Sequence, residues 1–191
     1  VADAEVGVLG ARKAFDEGPW PDMSIDVRTE FLVRFRAALD ARFDAVNQAW
    51  ANETGVPVRM AKMLSRVAAS SGNDAIELAQ TVAFPEIRDT PGGRVELRRG
   101  PIGPTVAIVT YNGPHVEIGL AVIPALLVGN TVVVKLPPET RMTGHLLADA
   151  AAEAGFPEGV LSIFAGDADV SRHLVAHTSV DAVHFTGGTE V

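Results

Sequence analysis

The stretch Val106–Lys135, VAIVTYNGPHVEIGLAVIPALLVGNTVVVK, leaves few folds open to this chain. VAIV and TVVVK are short, apolar and β-branched, which suits buried strands. Between them, HVEIGLAVIPALLVG has helical length and is apolar nearly all round. A strand, a buried crossover helix and a second strand make a parallel βαβ unit. Each strand ends in polar residues: Thr110, Tyr111 and Asn112 after the first, Lys135 at the end of the second. Open parallel sheets bind ligands outside the carboxyl ends of their strands, so these clusters are the first candidates for function.

The alternation continues downstream. Strands are expected over 106–110, 131–135, 160–164 and 182–186. A helix over 140–154 has Thr140 as a plausible N-cap and Gly155 at C′, and a shorter helix spans 167–176. Thr186–Glu190 reads as a turn into another helix. Upstream, residues 3–16 form a helix stopped by Gly18-Pro19-Trp20-Pro21. Ser24 or Asp26 can cap one long amphipathic helix, in which Phe31, Leu32, Phe35, Leu39, Phe43, Val46 and Trp50 form a single stripe. It ends in Glu53-Thr54-Gly55. Another helix runs from Arg59 to Thr81, with a break point at Ser71-Gly72-Asn73, and Phe84-Pro85 ends it. Residues 90–104, TPGGRVELRRGPIGP, alternate polar and apolar between Gly/Pro clusters. They read as an exposed strand or hairpin arm, either solvated or paired with another subunit.

Composition removes several classes of function. A chain of 191 residues suffices for one domain with a real core. A net charge of −8 and a pI near 5.1 argue against a nucleic-acid partner. No apolar run is long enough to span a bilayer, so no membrane partner is expected. The opening residues VADAEVG show no basic, signal-type region, which makes the cytoplasm the expected compartment. The absence of cysteine excludes disulfides, thiolate metal sites and a cysteine nucleophile within these residues.

Four loops share one edge of the expected sheet: 110–114, 135–140, 165–169 and 186–190. Three contain glycine, and the first and last precede helix N-termini, which favour anions. Lys135 is one of three lysines against 13 arginines. It either snorkels to Glu139 or meets a ligand, and a nucleotide site fits such an edge. Asn112 is either a turn residue before Gly113 or an amide donor to a developing oxyanion. His173 and His177 are four apart, but HLVAH lacks the glutamate of HExxH. They read as a solvated helix face, and no metal site is expected.

Taken together, GPW-x-x-MS, the ETG after the long helix, RRGPIG, TYNGP, PALLVGNTVVVK, AAEAGFPEGVLSIFAGD and SVDAVHFTGGTEV resemble the N-terminal, coenzyme-binding part of the aldehyde dehydrogenase superfamily across essentially the whole chain. The resemblance implies an α/β fold: an incomplete Rossmann-like parallel sheet with N-terminal helices and an exposed oligomerisation-type strand. Residues 1–89 would be the helical part, 90–104 the arm and 105–191 the truncated coenzyme-binding core. It implies NAD or NADP as cofactor, a small-molecule aldehyde as substrate and a homo-oligomer, dimer or tetramer, as the intact protein. Asn112 would hold the oxyanion of a thiohemiacetal. Thr110, Tyr111, Asn112, Lys135, Pro137, Pro138, Gly166, Gly187 and Gly188 would line the coenzyme, with Lys135 on the adenosine ribose and the two final glycines near the pyrophosphate.

Departures from the family pattern carry their own expectations. The family's glutamate three residues after the lysine is Pro138 here, with Glu139 one step later and Arg141 close by. That favours tolerance of, or preference for, NADP. Ala168 and Ser171 stand at two common glycine positions, Gly113 replaces a phenylalanine, Glu117 an apolar residue of the substrate tunnel, and Ala121 a lysine. The family's catalytic cysteine and general-base glutamate belong to a later part of the sequence, so these 191 residues alone are expected to be inactive. A non-catalytic nucleotide-binding or interaction module, and a CoA-acylating or acyl-phosphate-reducing relative, are the alternatives.

Overall fold

A computed structural model of the chain describes residues 1–81 and 85–189. Its elements in order are α1 (Ala2–Asp16), α2 (Ile25–Ala41), α3 (Phe43–Thr54), α4 (Val58–Thr81), β1 (Glu86–Thr90), β2 (Gly93–Leu97) and β3 (Thr105–Ile108). There follow α5 (Pro114–Glu117), a π-helical stretch (Ile118–Val122), α6 (Ile123–Leu127), β4 (Val132–Leu136), α7 (Arg141–Ala154), β5 (Leu161–Ala165), α8 (Ala168–Ala176) and β6 (Ala182–Phe185).

The central sheet has the order β5-β4-β3-β6, and every pair in it is parallel. From β3 the chain steps outward to β4 and β5, then returns to the other side of β3. This reproduces the 3-2-1-4 order at the heart of a Rossmann sheet and puts the topological switch point beside β3. The pleat sends alternate side chains to opposite faces. Val106, Ile108 and Val133 meet Ala4, Val8, Ala11 and Leu174 of α1 and α8. Ala107, Val109, Val132, Val134 and Leu136 join Trp20, Leu32, Phe35, Leu126 and Leu147 on the other face. Both faces of β3 and β4 are thus covered, which is why their sequences are continuous apolar runs.

The expected single helix after Ser24 is two. Ser24 caps α2 by accepting the Val27 N–H at 3.3 Å, but Arg42 leaves helical geometry at φ −100°, ψ 8°. The reason is packing: α2 lies on α6 and α7, whereas α3 lies on α4 and α7, and one straight rod cannot follow both. Arg42 secures the corner through an ion pair to Glu153 at 2.7 Å. Conversely, the expected break at Ser71-Gly72-Asn73 is absent, and α4 runs through it unbroken. Gly72 serves close packing instead, since a Cβ there would sit 2.8 Å from Ile123 Cδ1. Phe84, expected to help end α4, and Glu190, in the expected turn into a further helix, lie outside the described residues.

Thr140 does not cap α7 with its side chain. The cap is distant in sequence: Glu53 accepts the backbone N–H groups of Met142 at 2.5 Å and Thr143 at 3.1 Å, and the Thr143 hydroxyl at 2.7 Å. A carboxylate suits the positive end of a helix dipole. Gly155 ends α7 in the left-handed region, as expected.

Several motifs meet at the amino-terminal edge of the sheet. The Trp20 indole donates to the Asn130 carbonyl at 3.1 Å, and Asn130 Oδ1 accepts the N–H groups of Ile102 and Gly103 at 2.7 and 3.1 Å. Buried Arg28 donates to the Leu127 carbonyl at 2.8 Å and to the Trp20, Pro21 and Met23 carbonyls. GPW, PIG and VGNT are therefore one woven scaffold, on the edge opposite the polar strand ends. Residues 86–97 form an antiparallel hairpin in which nearly every residue is exposed.

Candidate functional site

The carboxyl edge of the sheet gathers the four predicted loops. Three backbone bonds carry the ladders past the strands: Val109 N–H to Lys135 C=O at 3.1 Å, Gly166 N–H to Leu136 C=O at 2.8 Å, and Thr186 N–H to Ile108 C=O at 3.1 Å. Thr110, Pro137, Gly166 and Thr186 therefore leave the sheet side by side.

Lys135 lies between Ile108 and Phe164 in register and is 6% exposed. It does not pair with Glu139, and no ion pair forms at its ammonium among the described residues. Burial lowers its pKa, while the more distant Asp167 and Glu139 charges pull the other way. The side chain is buried, and its ammonium keeps donors free for acceptors at the strand ends. Asp167 makes no ion pair with it; the Asp167 Oδ1 caps α8, accepting the N–H groups of Asp169 and Val170 at 3.0 Å each. Those bonds hold its pKa below the ordinary value.

Asn112 and Tyr111 stand exposed at the turn after β3, and Thr110 is half-buried beneath them. The turn is pinned from below. Trp50 Nε1 donates to the Tyr111 carbonyl at 2.7 Å, and the Trp50 ring meets His115 edge-on at 4.6 Å. His115 is buried and bonded to Ser65 Oγ at 2.6 Å. The Ser65 hydroxyl donates to Asn47 Oδ1 at 2.7 Å, and Asn47 Nδ2 donates to the Phe43 carbonyl at 2.6 Å. With its proton committed to Asn47, Ser65 must accept from His115 Nε2–H, which leaves Nδ1 as a buried lone pair without a partner. Burial pushes the His115 pKa down to about 4. The adjoining cavity, lined by Asn47, Ser65, His115 and Gly119, holds about 40 Å³, room for water rather than for a nucleotide. Farther along, Glu117 and His184 join the helix after the turn to β6 at 3.0 Å.

The glycines divide by cause. A Cβ on Gly166 would press on Val170 Cβ at 2.8 Å, so packing favours glycine there, whereas one on Gly187 would meet only the tip of the exposed Phe185 ring. Gly188 has open space around it and no positive φ, so neither packing nor backbone geometry demands glycine there. Pro137 and Pro138 are half-buried and lead into a single 3₁₀ turn, Pro138–Thr140. His173 and His177 do not form a solvated face: both point at Glu5 of α1.

The sequence profile described as "Aldehyde dehydrogenase family" matches residues 1–191. The chain belongs to the aldehyde dehydrogenase family. Among curated relatives, it is 35% identical over 189 residues to geranial dehydrogenase of Castellaniella defragrans, covering 98% of this chain and 40% of that protein. It is 34% identical over 197 residues to the mitochondrial benzaldehyde dehydrogenase of Antirrhinum majus, covering 98% and 36%. Among solved structures, Mycobacterium tuberculosis aldehyde dehydrogenase complexed with NAD+ superposes with TM-score 0.88 at 34% identity, covering 95% of this chain and 38% of that one. Staphylococcus aureus betaine aldehyde dehydrogenase, also complexed with NAD+, gives 0.90 at 25% identity, covering 99% and 39%. This aldehyde dehydrogenase chain thus spans about two fifths of the length of the relatives it matches.

Sequence reading of the family member missed Trp50, Ser65 and His115 as supports of the Asn112 turn. One signal existed: a buried tryptophan needs an acceptor for its indole N–H. Nothing in the spacing pointed it at residue 111.

Proposed function

We propose that this chain supplies the coenzyme-binding half of an NAD(P)-dependent aldehyde dehydrogenase that oxidises an aldehyde to a carboxylic acid. The observation that carries the reading is the pairing, at one sheet edge, of a buried lysine without an ion-pair partner among the described residues and an exposed amide beside a pinned carbonyl. Lys135 donates to ribose hydroxyls. Pro137, Pro138, Gly166, Gly187 and Gly188 form the walls, and the backbone of Thr110 and Tyr111 lines the nicotinamide end. When bound, the coenzyme supplies the hydride acceptor. Asn112 donates its Nδ2–H to the oxygen that turns anionic as a thiolate adds to the aldehyde, a donor whose removal costs roughly 10²–10³ in kcat in comparable oxyanion holes.

The 191 residues contain no cysteine, so the thiolate has to come from outside them. The isolated chain should therefore give no aldehyde-dependent NAD(P)H, whereas the intact protein should. Aldehyde-independent behaviour of the intact protein would overturn the reading. Pro138 in place of a ribose-binding carboxylate, with Arg141 exposed nearby, supports use of NADP. We expect NADP to bind within about tenfold of NAD in a direct titration of the intact enzyme; markedly tighter NAD binding would sink that part.

The exposed hairpin supports an oligomerisation role. Both its edges are unpaired among the described residues, and Ile87 and Val95 lie uncovered. A cytoplasmic location agrees with the absence, among the described residues, of any helix long and apolar enough to cross a membrane.

A further inference from the structure

We infer that Glu5, His173 and His177 form a binding site for a divalent transition metal of the zinc class. HLVAH sets His173 on α8 and His177 just past its end, where the backbone turns extended. The fold brings α1 against α8, and Glu5 then faces both rings. His173 Nε2 lies 3.0 Å and His177 Nε2 3.2 Å from the same Glu5 oxygen. The three ligand atoms all fall within 4.8 Å of one another. An ion with bonds of about 2.0–2.1 Å separates tetrahedral ligand atoms by about 3.3–3.4 Å, so the two glutamate–histidine distances need to open only by a few tenths of an ångström.

His173 Nε2 is buried against the Glu5 carboxylate rather than turned to solvent. Two neutral imidazoles and one carboxylate also match the donor set that zinc takes in open sites, with a fourth position left to water. The site is half-sheltered rather than flat on the surface, with the His177 side chain 13% exposed.

The remaining contact sets the strength. His177 Nδ1 accepts the Ser179 N–H at 3.1 Å, which puts the imidazole proton on Nε2 and toward Glu5. Binding moves that proton to Nδ1 and forfeits the Ser179 bond. The affinity should therefore be micromolar, well short of closed structural zinc sites. The ion's role is to tie α1 to α8, which together cover one face of the sheet. It lies toward the carboxyl end of α8, roughly 8–13 Å along the helix axis from the first helical residue, and takes no part in the chemistry at the strand ends.

Isothermal titration of the intact, untagged protein with Zn²⁺ alone tests the site, with Co²⁺ absorption as a second readout of tetrahedral coordination. The expected result is saturable one-to-one binding. His173→Ala and His177→Ala should each weaken it by about tenfold or more. His145→Ala, an exposed histidine elsewhere, should leave it unchanged. Thermal unfolding should rise with added Zn²⁺ in the parent and stay flat in His173→Ala, which also shows that the variant folds. Absence of saturable binding, or equal affinity in the parent and both histidine variants, would overturn the assignment.

Discussion

Asn112 owes its placement to residues distant in sequence from its own turn. Its turn hangs from the Trp50 indole by the bond to the Tyr111 carbonyl, with His115 wedged beside that ring. Trp50→Phe keeps the apolar bulk and leaves that carbonyl without its donor. We expect a loss of about 1–3 kcal/mol in denaturant unfolding. In the intact enzyme, kcat should fall while coenzyme affinity holds. His115 adds a pH signature. Its pKa falls from 6.5 to about 4 on folding, so the unfolded chain binds the extra proton. The stabilisation is complete above pH 6.5, wanes as pH falls toward 4, and is gone below that. The loss amounts to at most about 3 kcal/mol. Unfolding followed at pH 7 and pH 4.5 should show the drop, and His115→Gln should flatten it. At this scale the sequence was partly legible. Lys135 and Asn112 stood out because strand ends are predictable from β-branched runs. The contacts of Trp50, Ser65 and His115 were not, since they join residues 50 to 65 apart through tertiary packing.

Elements were easier to place than their junctions. The four parallel strands lie within two residues of their expected bounds, because each is an apolar run closed by Gly, Pro or polar residues. The corner at Arg42 was hidden, since the apolar stripe runs straight through it and only the positions of α4, α6 and α7 demand a bend. The start of α7 was hidden for a similar reason: its cap, Glu53, comes from another helix. Glu53→Ala should cost about 1–2 kcal/mol in equilibrium unfolding, the usual range for a lost N-terminal cap. Exchange of the Met142 and Thr143 amides should rise more than that of α8. The π-helical stretch touches α4 so closely that a Cβ on Gly119 would stand 2.3 Å from the Ala68 carbonyl oxygen. Backbone cannot yield as a side-chain tip can, so Gly119→Ala should destabilise by about 1–3 kcal/mol or more. A thermal melt of that variant close to the parent's would contradict the observed packing.

For the molecule as a whole, the parallel sheet was legible from alternation alone, but the allocation of motifs was not. Motif matching treats GPW, PIG, VGNT and TGG alike, whereas the fold sends the first three to one end of the sheet and the last to the other. The hairpin of residues 86–97 contributes nothing to either apolar cluster. Replacing those residues with a Gly/Ser linker should therefore leave the melting of the core within a few degrees. In the intact protein it should lower the oligomeric mass seen by light scattering. The weave of Trp20, Arg28 and Asn130 has an architectural corollary. It locks the strand starts together without touching the loops that follow the strand ends, so the two poles can change independently. Segments 110–113, 137–140, 166–168 and 186–188 are in effect an interchangeable cartridge seated on a permanent base. Grafting all four from a relative should transplant coenzyme preference while the base folds as before.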